Sequence, residues 1–393
     1  MKSIKRNSIQ SINAALSMFP VVAIIGPRQV GKTTLAKEIC SKHKNSIYLD
    51  LELPSDAYKL QEAEIYLSEN KDKLIVIDEM QNMPKLFPIL RAVIDKDRRN
   101  ARFLILGSAS PNLIKNSSES LAGRIFYHEL TPFNLNEIGH LKLNQLWMNG
   151  GYPESFLASS SGYSYEWREA FISTYLERDI PQLGIRIPAS MLRRFWTMIA
   201  HSHGQLWNAS QIASSLAISP PTVKHYLDIL EGTFIIRQLQ PFFQNIKKRL
   251  VKSPKIYIRD SGLLHTLLSR HNIDDLKSHP IVGNSWEGFI IEQIISTAPK
   301  EFKFYFYRTQ AGAEIDLLAI DKNENIIAIE IKYSLNPTLT KGFWNAVEDL
   351  KQFKNQKLKK VFVVYPGIDT YPIKENVYLY PAEKIATLLS SLT

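Results

Sequence analysis

The sequence predicts an α/β protein, and three observations carry that reading. Apolar strand-like runs alternate with helical spacings over residues 20–132. A glycine-framed loop stands at the first strand-to-helix junction. A second set of strands and helices fills the chain from about residue 285 onward. Alternation of this kind indicates a parallel sheet with helices on both faces. Between the two parts the pattern is helical, then changes to a helix-turn-helix followed by a β-type run. The expected domains are therefore 1–133, 134–203, 204–255 and 256–393.

Taken in order, residues 1–20 read as a short helix before the first strand, residues 21–25. The loop Gly26, Pro27, Arg28, Gln29, Val30, Gly31, Lys32, Thr33, Thr34 follows. It has the form G-x-x-x-x-G-K-T, a phosphate-binding loop. Gly26 and Gly31 let the backbone curl into an anion nest. Lys32 reaches the outer phosphates, Thr33 offers a hydroxyl to magnesium, and the following helix adds its positive end. Leu35, Ala36 and Ile39 give that helix its apolar spacing.

Residues 47–51 form the next expected strand, and residues 55–68 an acidic amphipathic helix. Residues 74–79 then run four apolar residues into Asp78 and Glu79. This is the expected second half of a nucleotide site, with Asp78 holding magnesium and Glu79 polarising the attacking water. Pro84 starts a further helix. Residues 103–108 form a strand lying between the first and third, with Ser108 or Ser110 placed to sense the outer phosphate or to make a plain turn. Arg124, before the strand 125–130, either reaches the phosphate of a neighbouring subunit or is a surface arginine at a helix end.

The segment 134–203 is helical and rich in aromatics, with a Gly150–Gly151–Tyr152–Pro153 turn and a long helix over 167–179. It is expected to act as a lid. Residues 211–217 and 222–230 flank the Ile218–Ser219–Pro220–Pro221 turn, and a β-type run at 234–239 supplies a wing. Thr222, Lys224 and His225 would face a DNA groove, unless the module docks protein. Lys247, Lys248, Arg249, Lys252 and Lys255 form a basic stripe that contacts phosphate or serves as a solvated linker.

The last third carries a second constellation. Strands are expected at 304–308, 314–320 and 326–332. Glu330 and Lys332 project to one face, and a hairpin brings Asp316 beside them. Two carboxylates and an ammonium suit a divalent cation, magnesium or manganese, with an activated water. Glu287, on the helix beginning near 285, would complete the ligands, and Lys332 would orient the water. The bland alternative is a hairpin with a charged wet face. A helix at 341–353, strands at 361–365 and 377–380, and a short helix complete a nuclease-type α/β unit.

Composition bounds the rest. The chain has 393 residues, 45% hydrophobic and 22% charged, as ordinary globular proteins do. The net charge of +10 favours an acidic partner, nucleic acid before an anionic membrane, or reflects a lysine-rich background. The single cysteine, Cys40, excludes an internal disulfide framework and reads as a core residue. No apolar run reaches membrane-span length. Lys2, Lys5 and Arg6 faintly imitate a signal peptide, but the apolar part feeds the loop, so a cytoplasmic protein is expected.

With these residues in hand, the chain resembles a family of AAA-type ATPases of bacteria and archaea. The motifs are G-P-R-Q-V-G-K-T-T, I-D-E-M-Q, G-S-A-S, L-A-G-R, G-G-Y-P and the late E-I-D … E-I-K. The family carries a C-terminal domain of unknown function related to PD-(D/E)xK nucleases. The resemblance implies an ATPase using Lys32, Thr33, Asp78 and Glu79. It places Arg124 where such proteins carry an arginine finger, implying a homo-oligomer. It matches Asp316, Glu330 and Lys332 to the nuclease-like motif, and Glu287 to its helical glutamate. The leading Pro-Asp of that motif is absent, since Ile315 precedes Asp316. The resulting expectation is an ATP- and magnesium-dependent ATPase coupled to a DNA-binding, DNA-cutting C-terminal half. The alternative is a switch acting through protein contacts.

Overall fold

The structure, a computed structural model, describes residues 4–107, 120–182, 187–243, 250–353 and 356–392. Ser108, Ser110, Lys247, Lys248 and Arg249 lie outside them. The chain packs as two units, Met1–Pro132 with Gly232–Phe234, and Phe133–Glu231 with Ile235–Thr393. Among the described residues no helix is long and apolar enough to cross a membrane.

In the first unit, helix α1 (Ser8–Met18) leads into β1 (Val21–Ile25). Then come α2 (Lys32–Lys42), β2 (Ser46–Asp50), α3 (Pro54–Lys59), α4 (Ala63–Glu69), β3 (Leu74–Asp78), α5 (Leu86–Lys96), β4 (Phe103–Leu106) and β5 (Ile125–Glu129). The five strands are all parallel, in the order β2-β3-β4-β1-β5. Every residue of β1, β3 and β4 is buried, which is why these runs read as continuously apolar. On α5, Leu86, Phe87, Leu90, Val93 and Ile94 form the buried stripe. Each such side chain contributes about 1.5–3 kcal/mol on burial.

Two expectations need correction here. The helix expected over 55–68 is broken after Lys59, because Leu60 and Gln61 close it with bonds to Ala57 and Tyr58, three residues back. That break turns Leu60, Ala63 and Leu67 into the core. Cys40 is half-buried rather than a core residue, and its thiol donates to the Ser46 hydroxyl at 3.0 Å.

The larger helices of the second unit's first part are α6 (Leu143–Asn149), α7 (Ser161–Thr174), α8 (Ala189–His201), α9 (Ala209–Leu216) and α10 (Pro220–Gly232). The long helix expected over 167–179 starts earlier, where the Ser160 side chain accepts from the Tyr163 amide. It continues past Thr174 as a π-helical turn, Tyr175–Asp179. Ala217, at φ 54°, turns the chain after α9. The Ser219 hydroxyl accepts from the Thr222 amide at the start of α10. Strands β6 (Ile236–Leu239) and β7 (Lys255–Ile258) then pair antiparallel. Glu292 clamps this hairpin from below: Arg237 Nε donates to it at 2.8 Å and Arg259 Nε at 2.7 Å. Burial alone would raise its pKa, but the two guanidiniums pull it down to about 2.

Helix α11 (Ser261–Leu267) and helix α12 (Val282–Thr297) lead into β8 (Lys303–Arg308), β9 (Glu314–Ile320) and β10 (Asn325–Ile331). Helix α13 (Lys341–Lys351), β11 (Lys357–Tyr365), β12 (Tyr371–Lys374) and β13 (Val377–Pro381) follow. The sheet order is β12-β13-β11-β10-β9-β8. Strands β8, β9 and β10 form an antiparallel meander, whereas β10 and β11 are parallel and need α13 as crossover. The core beneath α13 gathers Ile315, Leu318, Ala328, Phe343, Val347, Leu350 and Val363.

Candidate nucleotide site and a second charged centre

The loop after β1 has the curl that its sequence requires. Gly26 adopts φ 149° and Gly31 φ 91°. At Gly26 a Cβ would lie 2.3 Å from the Leu130 carbonyl oxygen, so no side chain fits. Gln29, at φ 60°, holds a left-handed conformation that costs a non-glycine residue free energy, and it is exposed together with Thr34. Val30 is fully buried. Its carbonyl accepts from Arg6 Nη1 at 2.9 Å, while Arg6 Nη2 donates to the Thr131 carbonyl at 2.5 Å. Arg6 therefore ties the loop to the end of β5.

Lys32 opens α2, and its ammonium is held across the loop by the carbonyls of Gly26 (3.0 Å) and Pro27 (2.8 Å). Burial lowers its pKa to about 8, against the pull of Glu79 and Asp78; the charge of Arg28 lowers it further. One residue on, Thr33 Oγ1 donates to Asp78 Oδ2 at 2.7 Å. Asp78, at the end of β3, also accepts from the Tyr48 hydroxyl at 2.5 Å and from the Glu79 amide at 2.9 Å. Burial, and then the bond to Asp78, raise the pKa of Tyr48. Glu79 stands at φ 55° before a 3₁₀ turn, Met80–Asn82, and the Gln81 amide donates to its carboxylate. Burial raises the pKa of Glu79.

Lys32, Thr33, Asp78 and Glu79 thus meet at the C-terminal end of the central strands, where ligands bind in open α/β sheets. Arg124 does not join them. Val21 pairs with Ile125, and the Val21 amide donates to the Arg124 carbonyl, so Arg124 lies at the N-terminal ends of the strands. Five residues of strand put it roughly 17 Å along the sheet from its own loop. Its side chain donates to Asp95 Oδ1 at 2.7 Å.

The second centre lies on β7, α12, β9 and β10. Leu317 pairs with Ile329, which sets Asp316 and Glu330 side by side. Asp316 Oδ2 accepts from the Ile331 amide at 2.8 Å, and Lys332 Nζ donates to Glu330 Oε1 at 2.6 Å. The expected acid-acid-amine grouping is therefore present. Burial, then Glu330 and Glu287, push the Asp316 pKa well above the carboxylate range. Glu287 approaches from α12. Its Oε1 accepts from the Tyr257 hydroxyl at 2.5 Å and from Lys255 at 3.1 Å.

Among the described residues no three His, Cys, Asp or Glu side chains are grouped as a metal site. The expected ligands Asp316, Glu330 and Glu287 lie in one neighbourhood with amines beside them: Lys255 is 3.1 Å from Glu287 and 3.8 Å from Asp316, and Lys332 is 2.6 Å from Glu330. Lys255 is corrected. It is not part of a solvated stripe but 3% exposed, facing acids. On α10, Lys224 and His225 are exposed, whereas the Thr222 hydroxyl is engaged with that of Ser219 at 2.7 Å.

Sequence reasoning missed Arg6, Tyr48, Gln81, Tyr257 and the role of Lys255. Only Gln81, in I-D-E-M-Q, carried a local signal.

Comparison with known proteins adds the following. Residues 18–139 match the AAA domain, residues 140–274 a domain of unknown function (DUF8612) and residues 282–385 another (DUF4143). The uncharacterized proteins Rv2008c of Mycobacterium tuberculosis and Mb2031c of Mycobacterium bovis are each 43% identical, over 98% of this chain and 85% of theirs. The uncharacterized protein MJECL04 of Methanocaldococcus jannaschii is 22% identical over 97% of this chain and 95% of its own. Among solved structures, the Walker-type ATPase paby2304 of Pyrococcus abyssi aligns with a TM-score of 0.51 and 16% identity. The alignment covers 68% of this chain and 96% of that one. This is a likeness of fold.

Proposed function

The chain belongs to the family of the mycobacterial proteins Rv2008c and Mb2031c, its N-terminal part is an ATPase-like AAA domain, and from that premise we propose that it is a magnesium-dependent ATP hydrolase acting on its own C-terminal half. The observation that carries this reading is the meeting of Thr33 Oγ1 with Asp78 Oδ2 beside Lys32 and Glu79. Two hard oxygen donors at one point fit magnesium, and Thr33 and Asp78 would hold it. Magnesium, when bound, supplies positive charge between the outer phosphates.

Lys32 leaves the Gly26 and Pro27 carbonyls to pair with the terminal phosphates. The loop amides, framed by Gly26 and Gly31, cradle the phosphate chain, with Pro27, Arg28, Gln29, Val30 and Thr34 forming the rest of its wall. Glu79 orients and deprotonates the attacking water once it is released from Gln81. Ser108 would sense the outer phosphate. Arg124, too far from its own loop, would serve the nucleotide of a neighbouring copy after leaving Asp95. The test is steady-state hydrolysis of magnesium-ATP by the purified chain. Lys32→Ala is expected to abolish binding or turnover, and an unchanged rate contradicts the assignment.

A second reading concerns the C-terminal half. The α9–turn–α10 pair with the β6–β7 hairpin supports DNA binding through exposed Lys224 and His225. The order helix, three-strand meander, helix, parallel strand, with Asp316, Glu330 and Lys332 together, supports a nuclease-like ancestry. Lys332 engages one oxygen of Glu330 and Lys255 stands 3.8 Å from Asp316, so a metal serving strand cleavage would compete with these amines. DNA retention that weakens steeply with salt supports the binding module. Plasmid cutting abolished by Asp316→Ala would revive a nuclease. ATP turnover with neither leaves a switch working through protein contacts.

A further inference from the structure

Lys255 begins β7 and is almost wholly buried, its amine 5.7 Å from the centre of the Phe306 ring. Three carboxylates surround that amine. Glu314 Oε1 lies at 2.9 Å, Glu287 Oε1 at 3.1 Å and Asp316 Oδ1 at 3.8 Å. They come from α12 and β9, so one side chain of the hairpin is gripped by two elements of the C-terminal layer. Burial alone would depress this amine, but Glu287, Tyr257, Asp316 and Glu314 outweigh it and hold its pKa well above the ordinary value.

The negative charge exceeds what Lys255 alone balances. Lys332 covers Glu330 Oε1, and Arg308 reaches Glu314 at 3.2 Å. Glu330 is 5% exposed, and its second oxygen, Oε2, is buried without a hydrogen-bond partner. The residue types around this point are those of a hard divalent-cation site, which would draw oxygens to about 2.0–2.6 Å. The contacts to Lys255 are longer, and they have the lengths and the amine donor of ion pairs.

We infer that Lys255 is the resident cation of this centre, an internal ammonium standing in place of a divalent metal, and that the centre becomes a divalent-cation site only when that amine is withdrawn. The β6–β7 hairpin is then the plug, and its seating and metal entry exclude each other. The inference does not rest on the ATP reading and is tested without nucleotide.

The probe is Mn2+ added to the nucleotide-free full chain, with bound metal counted by electron paramagnetic resonance. Wild type and Asp316→Asn should bind Mn2+ alike. Lys255→Met should gain one Mn2+ held at least about tenfold more tightly, and the gain should vanish in Lys255→Met/Asp316→Asn. A folded Lys255→Met without that gain overturns the inference. So does a wild-type Mn2+ that Asp316→Asn removes. Acetic anhydride labelling of wild type, read by mass spectrometry, needs no core variant. Lys255 should stay unmodified while exposed Lys224 reacts, and equal labelling of the two overturns the inference even if Lys255→Met does not fold.

Discussion

Thr33 Oγ1 and Asp78 Oδ2, 45 positions apart in the chain, are joined at 2.7 Å, so the first turn of α2 and the end of β3 are tied into one polar edge, the one proposed to hold magnesium. Asp78→Asn removes the charge and leaves the shape. It should lower magnesium-dependent ATP turnover by about two orders of magnitude while ATP binding in EDTA persists. A variant with the wild-type rate would show that Asp78 holds no metal.

Glu79 is half-buried, and Gln81 donates to it. Glu79→Gln should cut turnover by about 10²–10⁴-fold, the range of a lost general base, with bound ATP retained on the protein. Quench experiments that separate bound ATP from ADP read this directly. Rapid ADP formation in the variant would move the base elsewhere.

Arg6 donates to one carbonyl within the loop and to another just past β5, and is 7% exposed. Arg6→Ala leaves both acceptors without this donor and should destabilise the first unit by about 3 kcal/mol. Nucleotide affinity should fall with it, because Val30 is part of the loop. Thermal unfolding and a nucleotide titration check the pair. A stable variant with normal affinity would reduce Arg6 to a bystander.

Gly26→Ala places a methyl 2.3 Å from the Leu130 carbonyl at φ 149°. The backbone on both sides must shift, so nucleotide binding should be lost even where the rest of the sheet still folds. Circular dichroism beside fluorescent-nucleotide binding distinguishes the two effects. Intact binding would mean that the loop has room the geometry denies.

His203 and His265 are both fully buried, and burial lowers each pKa to about 3. The unfolded chain takes up these two protons below about pH 6.5, and the folded chain refuses them until about pH 3. Stability is therefore lost as pH falls through that window, at about 2.7 kcal/mol per pH unit where both contribute. Glu292, depressed to about 2, adds a further loss below its unfolded value near 4.5. Urea unfolding at stepped pH measures the slope, and His203→Gln should roughly halve it above pH 4.5. Flat stability between pH 6 and 5 would rule the account out.

The nucleotide loop was legible because its partners are neighbours: nine consecutive residues specify the curl, and the strand before it is uniformly apolar. The Asp78–Glu79 strand end was legible for the same reason. Arg6 was not, since a basic residue near the start of a chain reads as solvated, and its acceptors are backbone carbonyls that no side chain announces. Lys255 was misread for a related cause. It follows a run of basic residues, and its acids lie 32 to 61 positions later, on elements that only the folded sheet brings near. The alternation of β9 and β10 did reveal that Asp316, Glu330 and Lys332 share one place. It carried no information about a foreign amine entering from β7. The break after Lys59 escaped because Leu60 and Ala63 keep a helical spacing while the backbone between them tightens.

The far margin of the C-terminal sheet is β12, whose four residues are all exposed and which, among the described residues, pairs with β13 alone. Pro372 brings no amide hydrogen to that margin, and Lys374 places charge on it. A second sheet meeting this border would find a broken ladder and a cation. The layer is thereby finished on that side, and the chain is guarded against stacking into fibrils through β12.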